Sequence, residues 1–503
     1  MLVQLLSSTL TWLLVAAASC AYLLRTKRRP IFPVVNDYPL DFFRQRAHRE
    51  YRSNAKKLLA DGFAKHGGPI TVLVPGGSKI VLPSALSDWM KTNRDLDHQQ
   101  LVREEYFDRF PGFEGLRAIH SPDNVVIDML RAKLSAQNES ILPAVDQHVA
   151  AALEEHWGDA ESWHAISWDR DTTGIISRAA ASVFVGPEKA ADPEWQALVQ
   201  TYVRELFTAV GKLHAWPAPL RPLVQWFLPQ TSACRTLVRQ ARATMRDVVD
   251  QRAREAKTAA DQGLEPPRYD DAVAWTQAAP NNADSNKPEA GDIQLALAVA
   301  ALFTTTEALK QVLIDIARHP ELVEPLREEI RQSLSDRWQV GQAALANMEL
   351  LDSVVKESQR LVPLLVGLER KVIRDTTLPD GTRIPEGSHV MVDSSDMWSP
   401  EVHEEPESYD GYRFLKRRRA GHKATQFVQS SREHNVFGGG RHICPGRFFA
   451  SSELKLCLAH ILTKYDVRLK DGYRSAPIPS GFYAIVDPAA QLEVRRRGVS
   501  TGF

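Results

Sequence analysis

The sequence predicts a mainly α-helical protein with small β regions, preceded by one N-terminal transmembrane helix. Between about residues 136 and 256, apolar residues recur three and four positions apart, as they do on the buried faces of helices. Asp292 opens a long segment that is apolar nearly all round in its first half, which is typical of a helix buried in a large domain. Residues 70–83 and 371–393 alternate and turn at glycines, which indicates paired strands.

Residues 1–24 favour an uncleaved membrane anchor. The stretch 2–24 carries no charge, and as a helix it would be about 34 Å long, enough to cross a bilayer. A cleavable signal peptide is the alternative, because residues 15–21, VAAASCA, offer small-residue spacing that a signal peptidase accepts. No positive region precedes the stretch, however, and the positive residues at 25–29 follow it. By the positive-inside rule, this end and the following body of the protein are predicted to be cytosolic.

The remaining chain is predicted to form a hinge and one large domain. Residues 25–40 contain RPIFPVVNDYP, whose three prolines cannot continue a helix and favour a stiff extended connector. Residues 41–503 follow as a single domain. Residues 257–290 are rich in Pro, Asn, Asp and Ala, and we predict a solvated loop inside this domain, because strong helical patterns flank them.

Composition excludes several classes of function. The 62 basic and 62 acidic residues cancel, so no overall positive field attracts nucleic acid. Trp195, Tyr202 and Trp216 fall at helical spacing and favour packing over nucleobase stacking. The four cysteines lack the spacing of a disulfide framework or a zinc site, which fits a reducing compartment. No phosphate loop, zinc-protease, serine-hydrolase or dinucleotide fingerprint is present.

The stretch FGGGRHICPG, residues 437–446, concentrates the chemistry. An intracellular cysteine in an apolar setting is usually a small core residue, but Cys444 follows three glycines that allow positive φ and close backbone approach. Pro445 can begin the helix behind it, whose N–H groups and dipole favour a thiolate. The other features suit a flat anionic cofactor. Phe437 could cover one side of it, Gly446 would let the backbone pass close to it, and Arg441 and His442 could bind its anionic groups. A planar cofactor with carboxylates, bound through a thiolate, is haem.

This stretch, F-x-x-G-x-x-x-C-x-G, resembles the haem-binding signature of the cytochrome P450 monooxygenases, and it is most similar to fungal microsomal members of secondary metabolism. The resemblance implies the cytochrome P450 fold, haem b, and Cys444 as the axial thiolate on iron. It also implies that Phe437, Gly440, Arg441, His442 and Gly446 contact the cofactor. The family usually has arginine two residues before the cysteine; here His442 holds that place, so either Arg441 or His442 is expected to bind a propionate.

Further motifs extend the resemblance over nearly the whole chain. Glu357 and Arg360 in KESQR could be a solvated pair on any helix, but the family joins a Glu-x-x-Arg helix to a later arginine, here Arg413 in DGYRF. The resemblance implies a buried structural network of these three residues. It also places Arg370 as a propionate ligand, with a cation at a strand edge as the alternative. The expected Trp-x-x-x-Arg is missing, and Arg131 or Lys133 is its substitute.

The buried helix aligns with the family's oxygen-side pattern as Ala300-Ala301-Leu302-Phe303-Thr304-Thr305. Thr304 keeps the threonine place, although its hydroxyl could instead bond to its own helix. Phe303 replaces the usual acid and cannot relay a proton, so the resemblance assigns proton delivery to Thr304, Thr305 and ordered water. The cavity is expected to be apolar, lined by Ala300, Phe303, Leu364, Leu365 and Phe482.

The resemblance implies a monooxygenase that hydroxylates or further oxidises a hydrophobic secondary metabolite, such as a terpenoid, meroterpenoid or indole diterpene. It requires O2 and electrons from NADPH–cytochrome P450 reductase, with cytochrome b5 as a further candidate donor. The expected location is the endoplasmic reticulum membrane, single-pass, with a cytosolic catalytic domain. Two alternatives stay open: a reductase-independent haem-thiolate isomerase or dehydratase acting on a peroxide, and a haem-binding membrane protein without turnover.

Overall fold

Helices surround a few small sheets in the computed structural model, which describes residues 12, 30–41, 43–120, 124–134, 139–278, 288–335, 337–363, 368–474 and 476–498. The predicted fold class, mainly α with small β regions, is confirmed for these residues. The predicted anchor, residues 1–24, lies outside them except for residue 12.

The helices of the described residues are numbered in chain order. They are α1 (Gln45–His66), α2 (Ser87–Thr92), α3 (His98–Glu105), α4 (Glu114–Ile119), α5 (Val125–Lys133), α6 (Leu142–Trp157), α7 (Trp168–Phe184), α8 (Pro187–Ala190), α9 (Pro193–His214), α10 (Arg221–Val224), α11 (Pro229–Asp261), α12 (Ala272–Ala278), α13 (Ala290–Arg318), α14 (Val323–Leu334), α15 (Gln342–Asn347), α16 (Glu349–Leu361), α17 (Arg413–Arg419) and α18 (Arg447–Lys464).

The strands form one five-stranded sheet and three smaller ones. They are β1 (Ile70–Val74), β2 (Gly77–Leu82), β3 (Leu96–Asp97), β4 (His164–Ala165), β5 (Glu369–Val372), β6 (Thr376–Thr377), β7 (Arg383–Ile384), β8 (His389–Val392), β9 (Tyr465–Leu469), β10 (Ile478–Ser480), β11 (Tyr483–Ile485) and β12 (Leu492–Arg496). The large sheet has the order β1-β2-β8-β5-β3, in which only the β2–β8 pair is parallel. The others are β4-β12-β9, β6-β7 and β10-β11.

Both predicted strand regions are confirmed. The β1–β2 hairpin pairs Val74 with Gly77 and turns at Gly76, whose φ of 95° suits glycine. Residues 371–393 supply half of β5 and all of β6, β7 and β8. Ahead of them, the proline-rich connector is tied to β1, because Val35 N donates to Thr71 O at 3.0 Å.

Helix α13 runs through the interior, as its nearly continuous apolar surface predicts. It packs against α4, α7, α9, α11, α16 and α18, so most of its side chains are buried. Within the described ranges it is the one helix long and apolar enough to cross a membrane, but its burial makes it a core helix.

Two expectations about the outer helices need correction. Residues 257–290 are not all loop: α11 continues to Asp261, and α12 forms because Ala272, Val273 and Trp275 bury an apolar face against the main core. Trp195 and Tyr202 are packing residues as predicted, whereas Trp216, beyond the end of α9, is 44% exposed.

Candidate haem site

Cys444 lies between a short helical turn, Gly440–His442, and the first residue of α18. The helix begins at Arg447 with Gly446 as its N-cap, slightly later than the start expected at Pro445. Burial raises the pKa of the Cys444 thiol, while the N–H groups of Gly446 and Arg447 and the Arg447 guanidinium oppose that rise. The sulfur is therefore placed to become a thiolate when a metal ion supplies the missing positive charge.

The cysteine loop is closed by its own backbone. Cys444 N donates to Phe437 O at 2.9 Å, and Gly438 N donates to Asn435 O at 2.8 Å. The Phe437 ring stands edge-on to Phe427, with ring centroids 5.1 Å apart. These contacts hold the sulfur and the Phe437 ring on one short, rigid segment.

Two glycines of this loop serve different purposes. Gly440 has φ 62°, and a Cβ there would lie 2.3 Å from the carbonyl oxygen of Lys91. The loop thus packs tightly on α2 at Gly440, where close approach to a cofactor was expected. A Cβ on Gly446 would meet nothing within 4 Å, so open space for a flat group exists on that side.

Arg370 supplies a buried cation beside the loop. It is 1% exposed, and its NH2 group donates to Gly439 O at 3.2 Å. Within the described part of the chain, no carboxylate lies within 4 Å of its guanidinium. Burial lowers its pKa to about 10, which leaves the group charged at neutral pH and in need of an anion.

Neighbouring polar side chains come from three further elements: the turn Gly440–His442, α5 and α3. Arg441 Nε donates to His442 Nε2 at 2.8 Å, and Arg131 NH2, from α5, donates to Arg441 O at 2.7 Å. Burial, reinforced by Arg370, lowers the pKa of His442 to about 3. His98, at the start of α3, places its ring 6.2 Å from that of His442 and bonds through Nδ1 to Glu369 O at 3.1 Å. Arg131 thus reaches the cysteine loop from an early helix.

Sequence reasoning missed two of these histidines. His98 enters because β3 pairs with β5, opposing Asp97 to Lys371, and no local motif announces it. His120, at the end of α4, has a buried Nδ1 without a hydrogen-bond partner, and burial lowers its pKa to about 3. Asp97 is the acid that opposes the positive charge here, 3.5 Å from Arg441 and 3.6 Å from His442. The excess of cationic and N–H donors, beside a thiol and open space, fits the two carboxylates of haem.

Glu357, Arg360 and Arg413 come together in one buried network. Arg360 donates to both Glu357 oxygens at 2.8 Å, and Arg413 Nε donates to Glu357 Oε1 at 3.0 Å. The side chains of Glu357 and Arg360 have no exposed surface. The arginines also hold main-chain carbonyls between β8 and α17, at Met397, Glu404, Pro406 and Ser408. The network therefore fixes the chain segment that leads into the cysteine loop.

One face of α13 borders internal space. Ala300 is exposed, and Ala301, Phe303 and Thr304 are only partly buried, although most of this helix is buried. Thr304 Oγ1 donates to Ala300 O at 2.9 Å, the alternative that the sequence left open. Thr305 is 4% exposed and lies off this face, because one residue turns a helix by about 100°. The structure thus separates Thr305 from Thr304, contrary to their expected joint role.

The residues expected to line one pocket lie in different parts of the structure. Phe303 packs on Phe207 of α9 at 5.4 Å, and Phe207 packs edge-on to Tyr106 at 6.1 Å, which forms an aromatic wall. Phe482 instead packs on Tyr51 of α1 at 4.9 Å, in the small core under the large sheet. The structure therefore does not place Phe482 beside Phe303. Leu364 and Leu365 lie outside the described residues.

Comparison with known proteins decides the family. The sequence model described as Cytochrome P450 matches residues 129–494. The chain belongs to the cytochrome P450 family. This P450 is 34% identical to "Cytochrome P450 monooxygenase adrA" of Penicillium rubens, over 97% of its length and 96% of the relative's. It is 36% identical to "Cytochrome P450 monooxygenase hepE" of Aspergillus oryzae, over 95% and 88%.

The fold of this P450 is likewise similar to solved structures. A retinoic acid-bound cyanobacterial CYP120A1 superposes with a TM-score of 0.69 at 21% identity, over 93% of this chain and 99% of that one. The predictions of a P450 fold and of family membership are confirmed. The protein is an oxidoreductase, a P450 monooxygenase whose cofactor is haem with an axial cysteine thiolate.

A second polar cluster of this P450 is not a metal centre. Glu105, Glu369 and His389 are close enough to share a cation, but Lys79 already bonds to Glu369 and lies 3.4 Å from Glu105. The ammonium group supplies the positive charge that a metal would bring. The cluster therefore joins α3 to β2, β5 and β8 as an ion-pair network.

Proposed function

We propose that this P450 is a membrane-anchored monooxygenase that oxidises a hydrophobic secondary metabolite with Cys444 as the axial ligand of haem. The observation that carries the assignment is the setting of this cysteine. Of the three cysteines in the described residues, Cys234 and Cys457 are fully buried, whereas Cys444 is partly exposed beside helix N–H groups and open space. Bound there, haem supplies the iron chemistry that inserts one oxygen atom of O2 into a C–H bond.

The basic groups beside the loop would hold the cofactor. Arg370, Arg441 and His442 offer donors to its carboxylates, the His98 ring lies beside that of His442, and Arg131 braces the Arg441 backbone. Both Arg441 and His442 could bind a carboxylate of haem. Because Arg441 Nε donates a hydrogen bond to His442 Nε2, the two side chains would act together. Phe437 would limit the movement of the macrocycle, and Gly446, which has no side chain, would leave space for it beside the backbone.

Thr304 would take part in proton delivery to the haem site. Its hydroxyl lies on the face of α13 that borders internal space, and rotation away from Ala300 O would turn its proton toward water or substrate. Ala300 and the Phe303–Phe207–Tyr106 wall give this space an apolar border. A hydrophobic substrate suits such a pocket, and the family resemblance favours a terpenoid, meroterpenoid or indole diterpene.

The electrons would come from NADPH–cytochrome P450 reductase, with cytochrome b5 as an additional donor. The proposed location is the endoplasmic reticulum membrane, with residues 1–24 as anchor, 25–40 as hinge and 41–503 as the cytosolic domain. An exposed apolar surface between α9 and α11 supports contact with lipid. Its side chains are 44 to 77% exposed: Trp216, Leu220, Leu223, Trp226 and Phe227.

The reduced, carbon monoxide difference spectrum tests the assignment of the ligand. Cys444→Ala should lose the haem-thiolate band, whereas Cys234→Ala, which removes a thiol buried elsewhere in the core, should keep it. Retention of the band in Cys444→Ala would refute the assignment. Oxidation of terpenoid candidates only in the presence of NADPH and reductase would support monooxygenation over peroxide rearrangement and over binding without turnover.

A further inference from the structure

Proton supply is the open chemical question at this site. Hydroxylation consumes two protons: R–H + O2 + 2 e⁻ + 2 H⁺ gives R–OH + H2O, with the electrons coming from the reductase. By the family resemblance, Phe303 stands where the usual pattern has an acid and some fungal members have histidine, and a phenyl ring holds no exchangeable proton. The following inference rests on the proposed function, because only a monooxygenase needs this delivery.

A buried carboxylate lies one helical turn from Phe303. Glu307 follows Phe303 by four residues and Thr304 by three, so their Cβ atoms are about 5–6 Å apart on the same side of α13. Glu307 is 4% exposed. Its Oε2 accepts from Val486 N at 2.9 Å, and its Oε1 accepts from Lys310 Nζ at 3.0 Å.

Lys310 connects this carboxylate to the outside of the protein. Lys310 is 2% exposed, and its ammonium group also bonds to Asp169, in the first turn of α7. The Asp169 side chain is 67% exposed, so bulk water reaches it. Three hydrogen-bonded groups thus lead from solvent to the turn of α13 that follows Thr304.

We propose that Glu307 is the proton-relay residue that replaces the acid absent at position 303, with Lys310 and Asp169 as its connection to solvent. A proton passes from Lys310 Nζ to a Glu307 oxygen, and water at Asp169 returns a proton to Lys310. Glu307 then gives its proton through water to the Thr304 hydroxyl.

A purely structural role is the competing explanation, because the same ion pairs also join α13 to α7. The two explanations differ for peroxide-driven turnover. With styrene as the probe, styrene + H2O2 gives styrene oxide + H2O, and no proton from solvent is consumed. The reductase-driven reaction needs two. A relay defect therefore affects the second reaction alone, whereas a folding defect affects both.

The test compares full-length holoenzyme variants in both reactions. Glu307→Gln keeps an acceptor for Val486 N but cannot be protonated as a carboxyl group. It should lower NADPH-driven epoxide formation about 10–100-fold, raise H2O2 release per NADPH, and leave peroxide-driven epoxidation unchanged. The control is Asp292→Asn, which breaks another ion pair of α13. Asp292 accepts from Arg242 Nε at 2.7 Å, and it lies about 18 Å from Thr304 along the helix. Asp292→Asn should leave both reactions as in the wild type.

A measurement without substrate completes the test. The infrared C–O stretching band of the ferrous carbon monoxide complex reports polar groups near the ligand. It should shift in Glu307→Gln and not in Asp292→Asn. An unchanged band, or an equal loss of both reactions, would overturn the relay. Absence of the haem-thiolate spectrum from the wild type would instead refute the proposed function itself.

Discussion

Replacing Glu357 by glutamine should strongly destabilise this P450, because it leaves two buried arginines without their shared anion. The carboxylate accepts four hydrogen bonds: two from Arg360 at 2.8 Å, one from Arg413 at 3.0 Å and one from Asp410 N at 3.1 Å. A glutamine of the same shape offers one acceptor oxygen and turns an NH2 group toward the guanidinium donors.

The size of the destabilisation follows from the burial of Glu357 and Arg360. Glu357 and Arg360 have no exposed side-chain surface, so removing one partner leaves an uncompensated charge in the interior. Breaking such a pair costs about 3–5 kcal/mol. Unfolding entropy of about 2.1 cal/mol/K per residue gives about 1 kcal/mol/K for a chain of this length. The expected decrease in Tm is therefore about 3–5 °C.

Thermal unfolding of the full-length holoenzyme in detergent, followed by far-ultraviolet circular dichroism and Soret absorbance, measures this decrease. Glu349→Gln is the matched control, because Glu349 lies on the same helix and pairs with Arg418 at 3.2 Å while its side chain is 46% exposed. That substitution should cost at most about 1 kcal/mol. If both variants melt at the same temperature, the buried network does not carry the stability assigned to it.

Three further changes have defined outcomes. Gly440→Ala places a side chain at φ 62°, with its Cβ 2.3 Å from a carbonyl oxygen, so the haem content per chain should fall. A normal ratio of Soret to protein absorbance would contradict this. Burial lowers the pKa of His403 to about 3, so the unfolded chain binds a proton below pH about 6.5 that the native protein does not, and stability falls from there toward pH 3. His403→Phe should therefore move the acid-unfolding midpoint to lower pH, and an unmoved midpoint counts against burial as the cause. In the chain without residues 1–29, Trp226→Ser with Phe227→Ser should weaken sedimentation with phosphatidylcholine vesicles, whereas Leu264→Ser, which changes an exposed leucine outside the α9–α11 surface, should not.

Local spacing explains why much of this P450 is predictable from sequence. The cysteine loop, the Glu357–Arg360 turn and the β1–β2 hairpin each lie within about twenty residues, where helical period, strand alternation and glycine positions determine structure. The long apolar helix α13 is recognisable for the same reason. The prediction of a loop over residues 257–290 is wrong at α12. The composition of this segment is polar overall, but a short apolar face within it packs against the core and stabilises the helix.

The sequence by itself determined the family and the fold class, and it singled out Cys444 as the predicted ligand of the cofactor. Tertiary structure decided which distant groups converge, since these contacts depend on strand register and helix packing. It brought His98 and His120 toward the cysteine loop, placed a carbonyl of α2 against Gly440, and turned the Thr304 hydroxyl onto its own helix. It also linked Glu307 through Lys310 to Asp169 on another helix. No local pattern encodes such contacts, because each joins residues far apart in the chain.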